Sequence, residues 1–257
     1  VVPVHMAGRS CDMAKIYALS QEFGFSIVED ASHAIGGKYG DQHIGSCAFS
    51  DITVFSFHPV KIITSGEGGM ALTNNAALAR TMALYRSHGI TRDQSEMTKA
   101  SKGQWYYEQL MLGHNYRLTD LAAALGSSQA KKIDQFVEQR YEIAVKYNKQ
   151  LLNLPLTLPA LPDTGRSSFH LYIVRCPENS SERDKLFEFL STNGIEVNVH
   201  YMPVHLQPYY RNLGFSEGDF PFAEVYGETA ISLPIHPSLS EQDTSYIIEM
   251  IKNYFNE

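Results

Sequence analysis

Cysteine, tryptophan and excess positive charge are all scarce in this chain. Three cysteines, Cys11, Cys47 and Cys176, are scattered through 257 residues without CxxC spacing. That pattern excludes a disulfide framework and gives no zinc motif, so reduced thiols in a cytoplasmic protein are expected. No apolar run approaches the ~20 residues needed to span a bilayer. No charged-then-apolar leader opens the chain, so no signal peptide is read. The formal net charge of -7 speaks against a nucleic-acid partner, which needs a basic patch. It leaves phosphorylated small molecules open, because a few local donors can bind phosphate inside an acidic protein. Internal repeats and long polar tracts are also missing, so little disorder is expected.

What is present is a chain able to bury a core, with 44% hydrophobic residues. The apolar run Val1-Val2-Pro3-Val4 reads as a buried strand. A natural terminus rarely begins inside a core strand, so a preceding part of the protein is expected. Asp12 to Phe23 carries apolar residues at helical spacing, with Gly24 as a stop signal. Phe25 to Asp30, Asp51 to Phe57 and Gly69 to Thr73 read as strands, and Asn75 starts a helix to Tyr85. This βαβ rhythm predicts an α/β fold with a mostly parallel sheet.

Residues 93–113 show no period and read as a long loop. Thr119 caps a helical pattern running, with a break, to Leu151. After Pro155, Pro159 and Pro162 come strand-like Phe169 to Val174, helical Ser181 to Asn193, strand-like Ile195 to His200 and a tail helix capped by Ser240. The division expected is a large domain over 1–135 and a linking helix with a smaller α+β domain over 136–257.

Chemistry concentrates at Ser56-Phe57-His58-Pro59-Val60-Lys61 and the following Thr64-Ser65-Gly66-Glu67-Gly68-Gly69. Most lysines are solvated surface residues. Lys61, however, follows a strand end and precedes a glycine-rich turn, and ligands of parallel α/β sheets sit at such ends. A lysine in a crevice there loses its proton more readily and can act as a nucleophile. Ser56 offers a hydroxyl to a phosphate. Asp30 ends its own strand, where it can be a helix cap or a carboxylate beside a pyridine nitrogen. His33 follows three residues on, able to pack over a ring or to be an ordinary loop histidine. Arg117 suits a diphosphate or a carboxylate, and equally a surface ion pair. His200 and His205 lack a completing carboxylate or cysteine, so no metal is expected.

Taken in order, EDASHAIG, SFHPVKIITSGEGGMALTN and LGHNYRLTD resemble the DegT/DnrJ/EryC1/StrS family of sugar aminotransferases. The resemblance runs through nearly the whole chain. It implies the type I aminotransferase fold and pyridoxal 5'-phosphate as cofactor. It implies that Lys61 holds the cofactor as a Schiff base and carries the proton of the 1,3-shift. Asp30 would pair with the pyridine nitrogen, His33 would lie against the ring and Ser56 would bind the phosphate. Asn115 would reach the phosphate of a partner subunit's cofactor, which implies a homodimer with shared sites.

The segment Trp105-Tyr106-Tyr107-Glu108-Gln109 resembles the pseudaminic-acid branch. Glutamate would then be the donor, and C4 of a UDP-linked 4-keto-6-deoxy-N-acetyl-hexosamine the acceptor. His170, His200 and Tyr201 match family segments near the sugar nucleotide. The family also has a segment before Val1 whose main-chain N–H groups hold the cofactor phosphate at a helix N-terminus. Three alternatives stand beside this reading: another UDP- or dTDP-keto-sugar as substrate, a 3-dehydrating relative with histidine in place of Lys61, and a non-catalytic regulatory protein of the same fold.

Overall fold

The structure is a computed structural model that describes residues 1–100, 103–178 and 181–256. The first half carries α1 (Met13–Phe23), β1 (Val28–Asp30), β2 (Lys38–Tyr39), β3 (Gln42–His43), β4 (Ile52–Ser56), β5 (Gly69–Leu72) and α2 (Ala76–Arg86). Then come β6 (Ile90–Thr91), β7 (Glu108–Gln109), α3 (Asp120–Ala130) and α4 (Ile133–Leu151). The remainder holds β8 (Tyr172–Arg175), α5 (Glu182–Thr192), α6 (Pro208–Arg211), α7 (Pro221–Thr229), β9 (Ala230–Leu233) and α8 (Glu241–Asn256).

Caps set the helix starts. Asp12, Asn75 and Thr119 each accept main-chain N–H groups of the first turn, replacing partners that a helix end lacks. Gly24 ends α1 at φ 72°, a left-handed conformation that favours glycine. The expected break in the long helical pattern falls between Ala130 and Ile133.

The sheet that carries Asp30 and Ser56 is mixed, not mostly parallel. β4 lies between β1, to which it is parallel, and β5, to which it is antiparallel. The cause is the connection: the chain turns back from Ser56 to Gly69 without a crossover helix, which allows only the antiparallel sense. Gly69 is required there, because a Cβ would lie 2.6 Å from the Phe55 carbonyl oxygen.

Val1 to Val4 does not form a buried strand. It runs beside β1 with a single bridge, Val4 to Asp30, and Val1, Val2 and Val4 are exposed. Residues 93–113 are mostly irregular, but β7 pairs with β6, and 101 and 102 lie outside the described residues. Ile195 to His200 is also not a strand; its pairing is one bridge, Asn198 to Ser232. The partner of β8 is β9, in antiparallel register.

Two apolar clusters form. Ala31, Ala34, Phe55, Phe57, Ile62 and Ile63 make one; Tyr172, Val174, Leu186, Leu190, Ile231 and Ile251 belong to the other. Helix α4 enters both, with Val137 in the first and Ala144, Tyr147 and Leu151 in the second.

Candidate active site

The site is assembled where β1 and β4 end, against the 169–171 and 232–236 segments. Asp30 closes β1, and its Oδ1 accepts the Ser32 N–H at 3.0 Å. Ser56 closes β4, and the following turn brings Lys61 to the wall of a cavity of about 800 Å³. His170, His200, Tyr201, Arg140 and Ser232 line the same cavity.

Burial lowers the Lys61 pKa from its usual value, and the Asp30 carboxylate opposes that shift. The physical cause is desolvation, which disfavours the charged amine. Lys61 is thus both a cation in need of Asp30 and an amine eased toward its neutral form.

His33 is held on two sides. Its Nδ1 accepts the Ala7 N–H at 3.3 Å, and its carbonyl accepts the Ser168 hydroxyl at 3.0 Å. An Nδ1 that accepts leaves the proton on Nε2 in the neutral ring. Burial, then the Lys61 charge, brings the His33 pKa down to about 4. The His33 and His170 rings lie 4.5 Å apart between centroids, tilted by 53°. Burial first, then His33 and Lys61, pushes His170 to about 2. His200 is lowered by burial and by Lys61, and its Nδ1 is 2.7 Å from the Ser232 hydroxyl.

Lys61, Asp30, His33, His170 and His200 are therefore one electrostatic cluster, and Tyr201 borders it. Asn115 and Arg117 lie elsewhere. Both are exposed, in a segment whose main chain pairs with the end of α2 through the Ser87–Asn115 bridge. Arg140 is absent from the sequence reading. Its signal was its spacing on α4, where Val137, Arg140, Ala144 and Tyr147 share the buried face.

Residues 1–252 match the DegT/DnrJ/EryC1/StrS aminotransferase family. The chain belongs to that family. It is 38% identical to the spore coat polysaccharide biosynthesis protein SpsC of Bacillus subtilis, covering 98% of the chain and 66% of that relative. It is 37% identical to the UDP-4-amino-4,6-dideoxy-N-acetyl-beta-L-altrosamine transaminase of Campylobacter jejuni, covering 95% and 62%. The structure of Helicobacter pylori PseC, an aminotransferase involved in the biosynthesis of pseudoaminic acid, superposes with a TM-score of 0.89 at 32% identity, covering 99% of this chain and 66% of that one. The type I aminotransferase fold expected from the sequence is thus the fold found. The chain spans about two thirds of the length of the relatives it matches.

The residues present fit pyridoxal 5'-phosphate, the cofactor of this family. The Asp30 carboxylate acts electrostatically on the Lys61 amine, and an imidazole, that of His33, is held close to both by the Ala7 N–H. Among the described residues no helix is long and apolar enough to cross a membrane.

Proposed function

We propose that this chain carries the catalytic residues of a pyridoxal phosphate aminotransferase that moves the amino group of glutamate to C4 of a UDP-linked 4-keto-6-deoxy-N-acetyl-hexosamine. The observation that carries this reading is Lys61 at the cavity wall, its pKa lowered by burial and its charge interacting with Asp30. The similarity to the Campylobacter transaminase and to PseC supports the nucleotide-sugar substrate.

When bound, the cofactor supplies an electron sink that makes the Cα–H bond of the donor acidic. The roles proposed for the chain's residues are those that the family resemblance implies. Asp30 would pair with the cofactor's ring nitrogen. His33, whose Nδ1 accepts the Ala7 N–H, would lie against the ring face. The Ser56 hydroxyl would bind the phosphate. Lys61 would hold the cofactor, and its amine would carry the proton of the 1,3-shift. That shuttle needs a neutral amine, which burial favours.

His200 and Tyr201 border the cavity proposed for the sugar nucleotide; Arg117, proposed for a phosphate or carboxylate of the substrate, is exposed and is not part of that cavity's lining. Asn115, exposed among apolar neighbours, serves the cofactor of a second copy, so the working unit is a homodimer. Residues 1–135 belong to the cofactor-binding domain, and 136–257 form the linking helix and small domain. Glutamate and nucleotide sugars are cytoplasmic metabolites, and the three free thiols suit that compartment.

Borohydride reduction of the cofactor-loaded protein, followed by peptide mapping, tests the assignment. The expected adduct is on Lys61, and Lys61→Ala should lose it together with turnover, by about 10²–10⁴-fold or more. Transamination that persists in Lys61→Ala would show that another group does the work.

A further inference from the structure

Three remote stretches of chain meet at His33, and one buried hydroxyl joins them. Ser168 is fully buried. Its Oγ donates to the His33 carbonyl oxygen at 3.0 Å, across 135 positions of sequence. Its main-chain N–H donates to the Gly8 carbonyl at 3.1 Å, and the Leu171 N–H donates to the Ala7 carbonyl at 3.3 Å. The 168–171 segment thus holds His33 with a side chain and residues 7–8 with its main chain. Gly8 permits the approach. Its φ is 101°, and a Cβ there would lie 2.5 Å from the Ser168 Oγ, 2.8 Å from the Phe169 nitrogen and 3.0 Å from the His33 carbonyl oxygen.

The junction is held against local backbone preference. Ala7 has φ 60° and Phe169 φ 44°, left-handed conformations that residues with a Cβ seldom adopt. Such conformations persist where the surroundings impose them. The Ala7 conformation matters because it aims the Ala7 N–H, which donates to the His33 Nδ1 at 3.3 Å. That length is near the limit for such a bond, so a small displacement of either partner breaks it. Leu171 holds the donor side and Ser168 the acceptor side.

We propose that Ser168 is a positioning residue for His33: by tying the His33 main chain to residues 7–8, it keeps the Ala7 N–H on Nδ1 and so fixes the ring's orientation and its Nε2–H tautomer. The inference rests on the aminotransferase reading, in which His33 lies against the cofactor ring, and adds the residue that sets the imidazole in place. Ser168 does not line the Lys61 cavity, so it acts through His33. An imidazole released from Ala7 exchanges between tautomers and between orientations, and it packs less well on a planar ligand.

Labelling with 15N-histidine reads the tautomer in the protein without cofactor, because protonated and unprotonated ring nitrogens resonate far apart. The His33 signals are assigned by their loss in His33→Asn. At neutral pH the ring is uncharged, since burial and Lys61 bring its pKa to about 4. The wild type should then show the proton on Nε2 alone. Ser168→Ala, which removes the hydroxyl at nearly constant shape, should move both nitrogens toward the averaged values of an exchanging ring. The cofactor concentration for half-loading should rise ~5-fold, with the borohydride adduct still on Lys61. Ser167→Ala is the control. It removes a neighbouring buried hydroxyl that accepts the Phe169 N–H at 3.2 Å, and it should leave the His33 signals unchanged whatever it costs in stability. His33 signals in Ser168→Ala that match the wild type overturn the proposal. Should Ser168→Ala fail to fold, the wild-type spectrum decides, and a proton on Nδ1 overturns it. The adduct separates the two readings. A Lys61 adduct with unchanged His33 signals in Ser168→Ala removes the role of Ser168 alone. Changed signals with no adduct in the wild type uphold the hold of Ser168 on His33 and remove the role of Lys61.

Discussion

Single residues around Lys61 are arranged to keep imidazoles uncharged. Burial and the Lys61 charge hold His33 at about 4 and, with His33 itself, His170 at about 2. An unfolded histidine takes up its proton near pH ~6.5. As pH falls below that value, the unfolded chain binds protons that the folded chain refuses, so stability drops toward acid and levels off only once the folded rings titrate. Each such ring contributes a slope of up to ~1.4 kcal/mol per pH unit. Urea unfolding followed from about pH 7 to about pH 5 should therefore show a falling free energy, and His170→Asn should flatten it by about one ring's share. A variant with the wild-type slope would mean that His170 protonates freely in the folded protein. Lys61 itself was legible because Ser56 and the glycine-rich turn flank it in sequence at the end of a strand. Arg140 was not, because its significance depends on carbonyls from Phe169 to Ile235 that only the fold brings together.

Helix α4 is the element on which the site depends. Its buried face joins the two apolar clusters, and Tyr147 donates to the Pro234 carbonyl at 2.9 Å, one residue from the carbonyl that Arg140 holds. Tyr147→Phe keeps the packing but orphans a carbonyl, and a loss of ~1 kcal/mol is expected. Denaturant midpoints check that value, while cofactor loading should be unaffected by so small a change. A loss near zero would mean that water replaces the hydroxyl. The helices were readable because caps and apolar spacing are local signals. Strands were read less well, because a strand exists only through its partner. Ile195 to His200 is β-branched and alternating, yet only Asn198 finds a partner, while the short Ala230–Leu233 segment pairs along its full length. Likewise, the antiparallel sense of β5 depends on the Phe57 to Gly68 turn, which no periodicity announces.

For the whole molecule, the notable surface is the segment around Asn115. Leu112 is 85% and Leu121 86% exposed, with Tyr116 between them at 71%. Large apolar side chains left this exposed close together in sequence suit an interaction site. The partner proposed is a second copy, since Asn115 lies in the same exposed segment and its amide would then reach a site across the interface. Buried leucines at such contacts contribute enough that replacing one by a charge should shift association at least ~10-fold. Sedimentation over a range of concentrations should show a dimer, and Leu121→Glu should move the population toward monomer without loss of helical signal. The same variant should lose cofactor affinity only in parallel with its loss of dimer, because Lys61, Asp30 and His33 all come from one chain and remain in place. A cofactor affinity that falls equally at concentrations where the dimer is intact would place the effect of Leu121 within its own subunit and remove Asn115 from the partner's site.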